Sequence, residues 1–152
     1  PMLDGPAERG TEITLHLPAL FPQDYLPDVH TRLILYKRIA SAENEDQLTL
    51  LKEEVIDRFG LYGVPVANLF HVTSAKIRAQ ELGIKRVDLG SKGGRVDFVD
   101  RPNIDPAVII DLIQHDAMYR LDGQNRLRIK KPLEDADSRF AELDKLLDTL
   151  SA

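Results

Sequence analysis

The glycine-rich segment GSKGG, residues 90–94, is where this sequence comes nearest to a pattern that does chemistry, because glycine loops can bind phosphate. A phosphate loop needs the pattern G-x-x-x-x-G-K-[ST] at the start of a helix, where backbone amides and the helix N-terminus converge on the anion. Here the glycines separate two segments in which every second residue is apolar, which is the pattern of paired strands. The sequence therefore favours a hairpin turn over a nucleotide site.

Residues for catalysis or metal binding are not arranged in any pattern that chemistry requires. The histidines at positions 16, 30, 71 and 115 include no i, i+4 pair and no HExxH motif, so they do not predict a zinc site. There is no cysteine and no G-x-S-x-G, which excludes a cysteine nucleophile and argues against a serine elbow. The sequence therefore predicts no catalytic residue, no cofactor and no metal ligand, and we expect that this chain is not an enzyme.

The second predicted helix carries the best candidate for a protein-binding site. Leu50 lies off the apolar stripe of this helix, followed by Glu54 and Asp57 along the same face. Arg58 is four residues after Glu54. An apolar residue framed by charges of both signs is typical of a modest polar interface. The alternative, slightly favoured by the residues alone, is that Leu50 packs against a neighbouring helix while Glu54 and Arg58 form a surface ion pair of under ~1 kcal/mol.

A basic strip on the last predicted hairpin is the second surface feature. Arg126, Arg128 and Lys130 alternate along one strand, and Arg120 lies on the partner strand. Such a strip can contact phosphate, so an accessory DNA-binding module is an alternative function. However, no aromatic residue is interleaved for base stacking, and basic residues on an open sheet also prevent aggregation. A solvated face is the favoured interpretation.

Composition limits the class of protein. The chain has 152 residues, a net charge of −5, 43% hydrophobic residues and 30% charged residues, which is ordinary for a globular domain. The negative charge argues against a general binder of nucleic acid or membrane surfaces. No apolar run reaches the ~20 residues of a membrane helix, and the polar start is unlike a signal peptide. We expect a cytoplasmic protein, with residues 1–11 as a flexible linker or expression remnant and 12–152 as a single domain.

The periodicity of apolar residues predicts the elements that position these candidates. Residues 12–17 alternate as a strand, and three helices follow, beginning near Asp28, Asn44 and Pro65. In the first helix, Val29, Leu33, Tyr36, Ile39 and Ala40 are predicted to face inward. Two hairpins, each followed by a helix, complete the chain. The predicted fold class is α+β, with a mainly antiparallel sheet of about five short strands packed with five helices.

Two motifs resemble one known family. The segment YLPDVHTRLILYKRIASA at 25–42, together with EEVIDRFG at 53–60, is similar to the C-terminal domain of bacterial transcription-repair coupling factors. Weaker matches, ELGIK at 81–85 and YRLDG at 119–123, extend the resemblance over residues 12–152. The first ten residues match nothing in that family.

The resemblance implies a regulatory domain without catalytic machinery. The intact factor is an ATP-driven translocase on double-stranded DNA that displaces stalled RNA polymerase and recruits UvrA for nucleotide-excision repair. Its motor and its DNA contacts lie in other domains, and no membrane is involved. The C-terminal domain would dock on the UvrB-like module of the same protein and hide the UvrA-binding surface. The implied docking residues, where EEVIDRFG matches, are Glu54, Asp57 and Arg58, and Leu50, which lies off the apolar stripe, joins them as a candidate.

Overall fold

The computed structural model describes residues 10–152, and this part of the chain divides into two compact units. One unit spans Leu17–Ile77, and the other combines Gly10–His16 with Arg78–Ala152. The flexible linker predicted at 1–11 lies mostly outside the described residues, although Thr11 is buried and its hydroxyl donates to the Ile84 carbonyl. The single domain predicted for residues 12–152 stays a prediction.

The first unit is helical. It contains α1 (Val29–Ala40), α2 (Glu45–Phe59) and most of α3 (Val64–Leu82). Asp28 and Asn44 cap α1 and α2, because their side chains accept hydrogen bonds from the amides of Thr31 at 3.0 Å and Gln47 at 2.9 Å. Gly60, with a φ of 93°, ends α2 in a conformation that suits glycine.

The buried face of α1 differs from the predicted one. Leu35 and Ile39 are buried, whereas Val29 and Ala40 are exposed and Leu33 is 60% exposed. Tyr36 explains this rotation, because its hydroxyl accepts a hydrogen bond from the Phe21 amide at 2.7 Å. Since residues 33–36 are all apolar, spacing alone could not select the inward face. Only Ile39 was predicted correctly as a fully buried residue of this helix.

The second unit contains a five-stranded sheet and two helices. The strands are β1 (Glu12–Thr14), β2 (Ile84–Gly90), β3 (Gly93–Phe98), β4 (Tyr119–Leu121) and β5 (Arg126–Lys130), in the order β1-β2-β3-β5-β4. β1 is parallel to β2, and the other neighbours are antiparallel. The helices are α4 (Pro106–His115) and α5 (Ala136–Leu150). The predicted α+β class, mainly antiparallel with two hairpin-helix units, is confirmed.

The segment GSKGG forms the turn between β2 and β3, as predicted. A side chain at Gly94 would bring its Cβ to 1.7 Å from the Asp88 carbonyl oxygen, so this position requires glycine. The inward residues of the sheet and the stripe of α5 are buried, among them Val87, Leu89, Val96, Leu127, Ile129, Leu143 and Leu147. The glycines therefore allow the two neighbouring strands to approach each other closely.

Candidate docking site

The exposed face of α2 presents the four residues singled out from the sequence. Leu50 is 65% exposed, so it does not pack against a neighbouring helix as the alternative interpretation held. Asp57 and Arg58 are exposed, and Glu54 is half-buried. Within residues 10–152 the Asp57 side chain has no hydrogen bond or ion pair. The buried stripe of α2, formed by Leu48, Leu51 and Val55, holds this face outward.

Glu54 is held by two arginines. The two terminal guanidinium nitrogens of Arg38 donate to the Glu54 carboxylate, Nη1 to Oε2 at 2.7 Å and Nη2 to Oε1 at 2.8 Å. Arg58 donates to Oε2 at 3.0 Å. The hydrogen bonds from Arg38, followed by those from Arg58, lower the pKa of Glu54 to about 2, and the same contact raises the pKa of Arg38. The carboxylate is therefore ionised throughout the physiological range, and the three residues together carry one surplus positive charge.

Arg38 is the member of this site that the sequence interpretation missed. It lies on α1, and Glu54 had been paired only with Arg58, its neighbour on the same helix. A signal was present, because the charges from Val29 to Arg38 are all positive while those from Glu43 to Arg58 are mostly negative. That contrast between consecutive helices would have suggested an ion pair between them.

A groove between α1 and α2 adjoins the ion pairs. It has a volume of about 350 Å³ and is lined by Arg38, Ser41, Ala42, Gln47, Leu50, Leu51 and Glu54. At the other end of the ion pairs, the guanidinium of Arg58 lies 4.8 Å from the centre of the Phe59 ring. Fixed charges beside an apolar groove can recognise a protein surface that offers complementary charge and an apolar side chain.

The residues of the predicted basic strip lie on β4 and β5. The Nε atoms of Arg126 and Arg128 donate to Asp97 at 2.7 Å and Asp122 at 2.9 Å. Arg120 and Lys130 have no hydrogen-bond or ion-pair partner in the described part of the chain. The strip is thus partly neutralised.

No group of three or more His, Asp or Glu side chains among residues 10–152 could hold a metal ion. No helix in the same range is long and apolar enough to cross a membrane.

Similarity to curated proteins covers nearly the whole chain. The transcription-repair-coupling factor of Escherichia coli (strain K12) is 41% identical over 141 residues, which cover 92% of this chain and 12% of that protein. The transcription-repair-coupling factor of Haemophilus influenzae is 39% identical over 153 residues, covering 100% of this chain and 13% of that protein. The chain therefore spans about an eighth of the length of these relatives.

The fold has a counterpart among solved structures. A crystal structure of the C-terminal domain of transcription-repair coupling factor matches with a TM-score of 0.72 and 19% identity, covering 93% of this chain and 94% of that one. The family model of the TRCF domain matches residues 15–109, which is more than half of the chain. On this match, the protein belongs to the TRCF domain family.

Proposed function

We propose that this chain is the regulatory C-terminal domain of a transcription-repair coupling factor and has no catalytic role of its own. Family membership and the names of the relatives support this assignment. The intact factor would be an ATP-dependent DNA translocase that displaces stalled RNA polymerase and recruits UvrA in transcription-coupled nucleotide-excision repair. DNA and nucleotide would be bound by other domains of the factor. The expected cytoplasmic location belongs to this proposal.

Regulation would work through docking on the UvrB-like module of the same protein, which would block UvrA until the motor engages. The observation that carries this proposal is the ion pairing of Glu54 with Arg38 and Arg58 beside the exposed Leu50. These charges are already oriented before a partner arrives, so docking orders fewer side chains. A tethered partner also has an effective concentration near ~1 mM, so modest contacts are enough and release stays possible.

The charges of the site indicate what the partner must offer. Arg38 uses two of its donors on Glu54, whereas Arg58 uses one, which leaves most of the Arg58 guanidinium for an acidic group of the partner. Asp57 would take a basic group, and the groove beside Leu50 would take an apolar side chain. In this arrangement Arg38 is a positioning residue, because it acts through Glu54.

Titration of this chain against the separately produced UvrB-like module tests the proposal. We expect binding by the wild type and loss of at least about tenfold in affinity for the triple variant Glu54→Ala, Asp57→Ala, Arg58→Ala. A matched control, Glu81→Ala, Glu134→Ala, Arg101→Ala, also removes two carboxylates and one guanidinium from exposed positions. The control should bind like the wild type.

Two outcomes would contradict the docking model. If the control weakens binding as much as the triple variant, the interaction reflects overall charge and no particular face. If the wild type does not bind the module even when the two are joined by a flexible linker, docking itself is wrong. Thermal melting of each variant would establish that it is folded. Competition by UvrA would be measured next: UvrA should displace this chain from the module, because the model requires the two partners to exclude each other.

A further inference from the structure

Three arginines lie side by side on the outward face of the sheet. Arg128 on β5 is directly opposite Arg95 on β3 and directly opposite Arg120 on β4. Adjacent strands are only about 4.8 Å apart, and like charges in opposite positions destabilise a sheet. We call Arg95, Arg128 and Arg120 the arginine row. Two directly opposite arginine pairs do not stabilise the folded state, so the row points to a role in binding.

Acidic residues near the row offset only part of its charge. Asp97 receives hydrogen bonds from Arg95 at 3.2 Å and from Arg126 at 2.7 Å, and Asp122 receives one from Arg128. Asp88, opposite Arg95, is hydrogen-bonded to His16. With Glu134, which lines the same groove as Lys92 and Lys130, four carboxylates thus face six cations, namely Arg95, Arg120, Arg126, Arg128, Lys130 and Lys92. This face is positive although the chain carries a net charge of −5.

The turn GSKGG lies beside the row, where it leads into Arg95 along β3. Gly93 of this turn is paired with Lys130, and a groove of about 480 Å³ there is lined by Ser91, Lys92, Lys130, Lys131, Pro132 and Glu134. Lys131 is engaged by Glu142 at 2.7 Å, which leaves Lys92 and Lys130 without a partner among residues 10–152. The groove therefore extends the positive surface beyond the arginines.

We propose that the arginine row, together with Lys92 and Lys130, binds the phosphate backbone of double-stranded DNA without reading its sequence. Guanidinium groups donate paired hydrogen bonds to phosphate oxygens, and several in a line match the regular charges of a duplex. The row has no aromatic side chain for stacking on unpaired bases. It also lacks the large apolar anchor that protein interfaces use, so an acidic protein is the weaker fit. This contact is independent of the docking proposed for α2.

Fluorescence anisotropy with a labelled duplex of about 20 base pairs tests this inference at about 50 mM salt. With about five phosphate contacts, one for each of these cations, we expect a plot of log K against log salt to have a slope of about −4.5. The variant Arg120→Ala, Lys130→Ala should lose about tenfold in affinity and about two units of slope. Both side chains are exposed and have no hydrogen-bond or ion-pair partner among residues 10–152, so the fold should be retained. The control Lys37→Ala, Arg101→Ala removes one lysine and one arginine from exposed positions elsewhere.

Binding by the wild type, weakened only in Arg120→Ala, Lys130→Ala, would support the proposal. Equal weakening in the control would overturn it, because the effect would then reflect total charge. Absence of binding at about 50 mM salt would also overturn it. The proposal would also be overturned if polyglutamate of the same length and charge as the duplex bound equally well or more tightly, since the surface would then bind any acidic chain.

Discussion

Two glutamates, one in each unit, make similar bonds in different surroundings. Glu54 on α2 accepts hydrogen bonds from Arg38 and Arg58, and its side chain is 33% exposed. Glu142 on α5 accepts from the Tyr119 hydroxyl at 2.5 Å and from Lys131 at 2.7 Å, and it is only 2% exposed. Each carboxylate is thus fully engaged by two donors. They differ in whether water can replace a lost partner.

This difference separates a structural role from a role in recognition. A buried charge that loses its partners is strongly destabilising, whereas exposed ion pairs contribute less than ~1 kcal/mol. We infer that Glu142 stabilises the second unit, where Tyr119 also lies 3.2 Å from Lys145. Glu54 contributes little to stability, so its ordered contacts are available for a partner.

The largest effect is expected for Glu142→Ala. This change leaves the buried hydroxyl of Tyr119 and the half-buried ammonium of Lys131 without their acceptor, and it should lower the free energy of unfolding by about 3 kcal/mol or more. Urea denaturation would measure the loss. The exposed Glu134 provides the matched control, since Glu134→Ala should change stability by less than about 0.5 kcal/mol. Similar losses in both variants would contradict the structural role of Glu142.

A smaller effect is expected for Tyr119→Phe. The ring is retained, but Glu142 loses one donor, which should cost about 1–2 kcal/mol of unfolding free energy. Burial, and then the hydrogen bond to Glu142, raise the pKa of Tyr119, so its hydroxyl stays a donor throughout the neutral range. The difference between the spectrophotometric titrations of the wild type and of Tyr119→Phe should show a pKa for Tyr119 above that of a tyrosine in the unfolded chain. A normal pKa together with unchanged stability would show that the contact is weak.

The smallest effect on stability is expected for the ion pairs of Glu54, and it depends on pH. The pKa of its carboxyl falls from the ordinary 4.5 to about 2 on folding, so its contribution is fully present above pH 4.5 and is lost as the pH falls through about 2. Arg38→Ala should raise this pKa and move the loss to higher pH. NMR titration of the Glu54 carboxyl carbon would measure both values. A pKa near 4.5 in the wild type would mean that Arg38 does not hold Glu54 in solution.

The sequence was most informative where apolar residues repeat on a single face. The stripes of α2 and α5 have one apolar side, so their buried residues Leu48, Val55, Leu143 and Leu147 followed from spacing. The buried face of α1 did not follow from spacing, because Leu33 and Leu35 are both apolar. The hydrogen bond between the Tyr36 hydroxyl and the Phe21 amide sets the rotation of this helix about its axis.

The candidate site was only partly predictable for a related reason. Residues on one helix, such as Glu54 and Arg58, are related by helical spacing and can be paired from sequence. Arg38 lies on a different helix, and Glu142 has partners at long sequence separation, so spacing carries no information about their contacts. The same limit applied to the order of the strands.

The parallel pairing of β1 with β2 has a consequence for how the chain folds. Ile13 pairs with Val87, so in the sequence the whole of Leu17–Ile77 is inserted between two strands that are neighbours in the sheet. During synthesis the helical unit can fold before β2 has emerged from the ribosome, and until then β1 has no partner strand. Closing this long loop makes the sheet the slower unit to form. A ribosome paused just after residue 80 has left the exit tunnel would therefore hold a complete helical unit preceded by an unpaired strand.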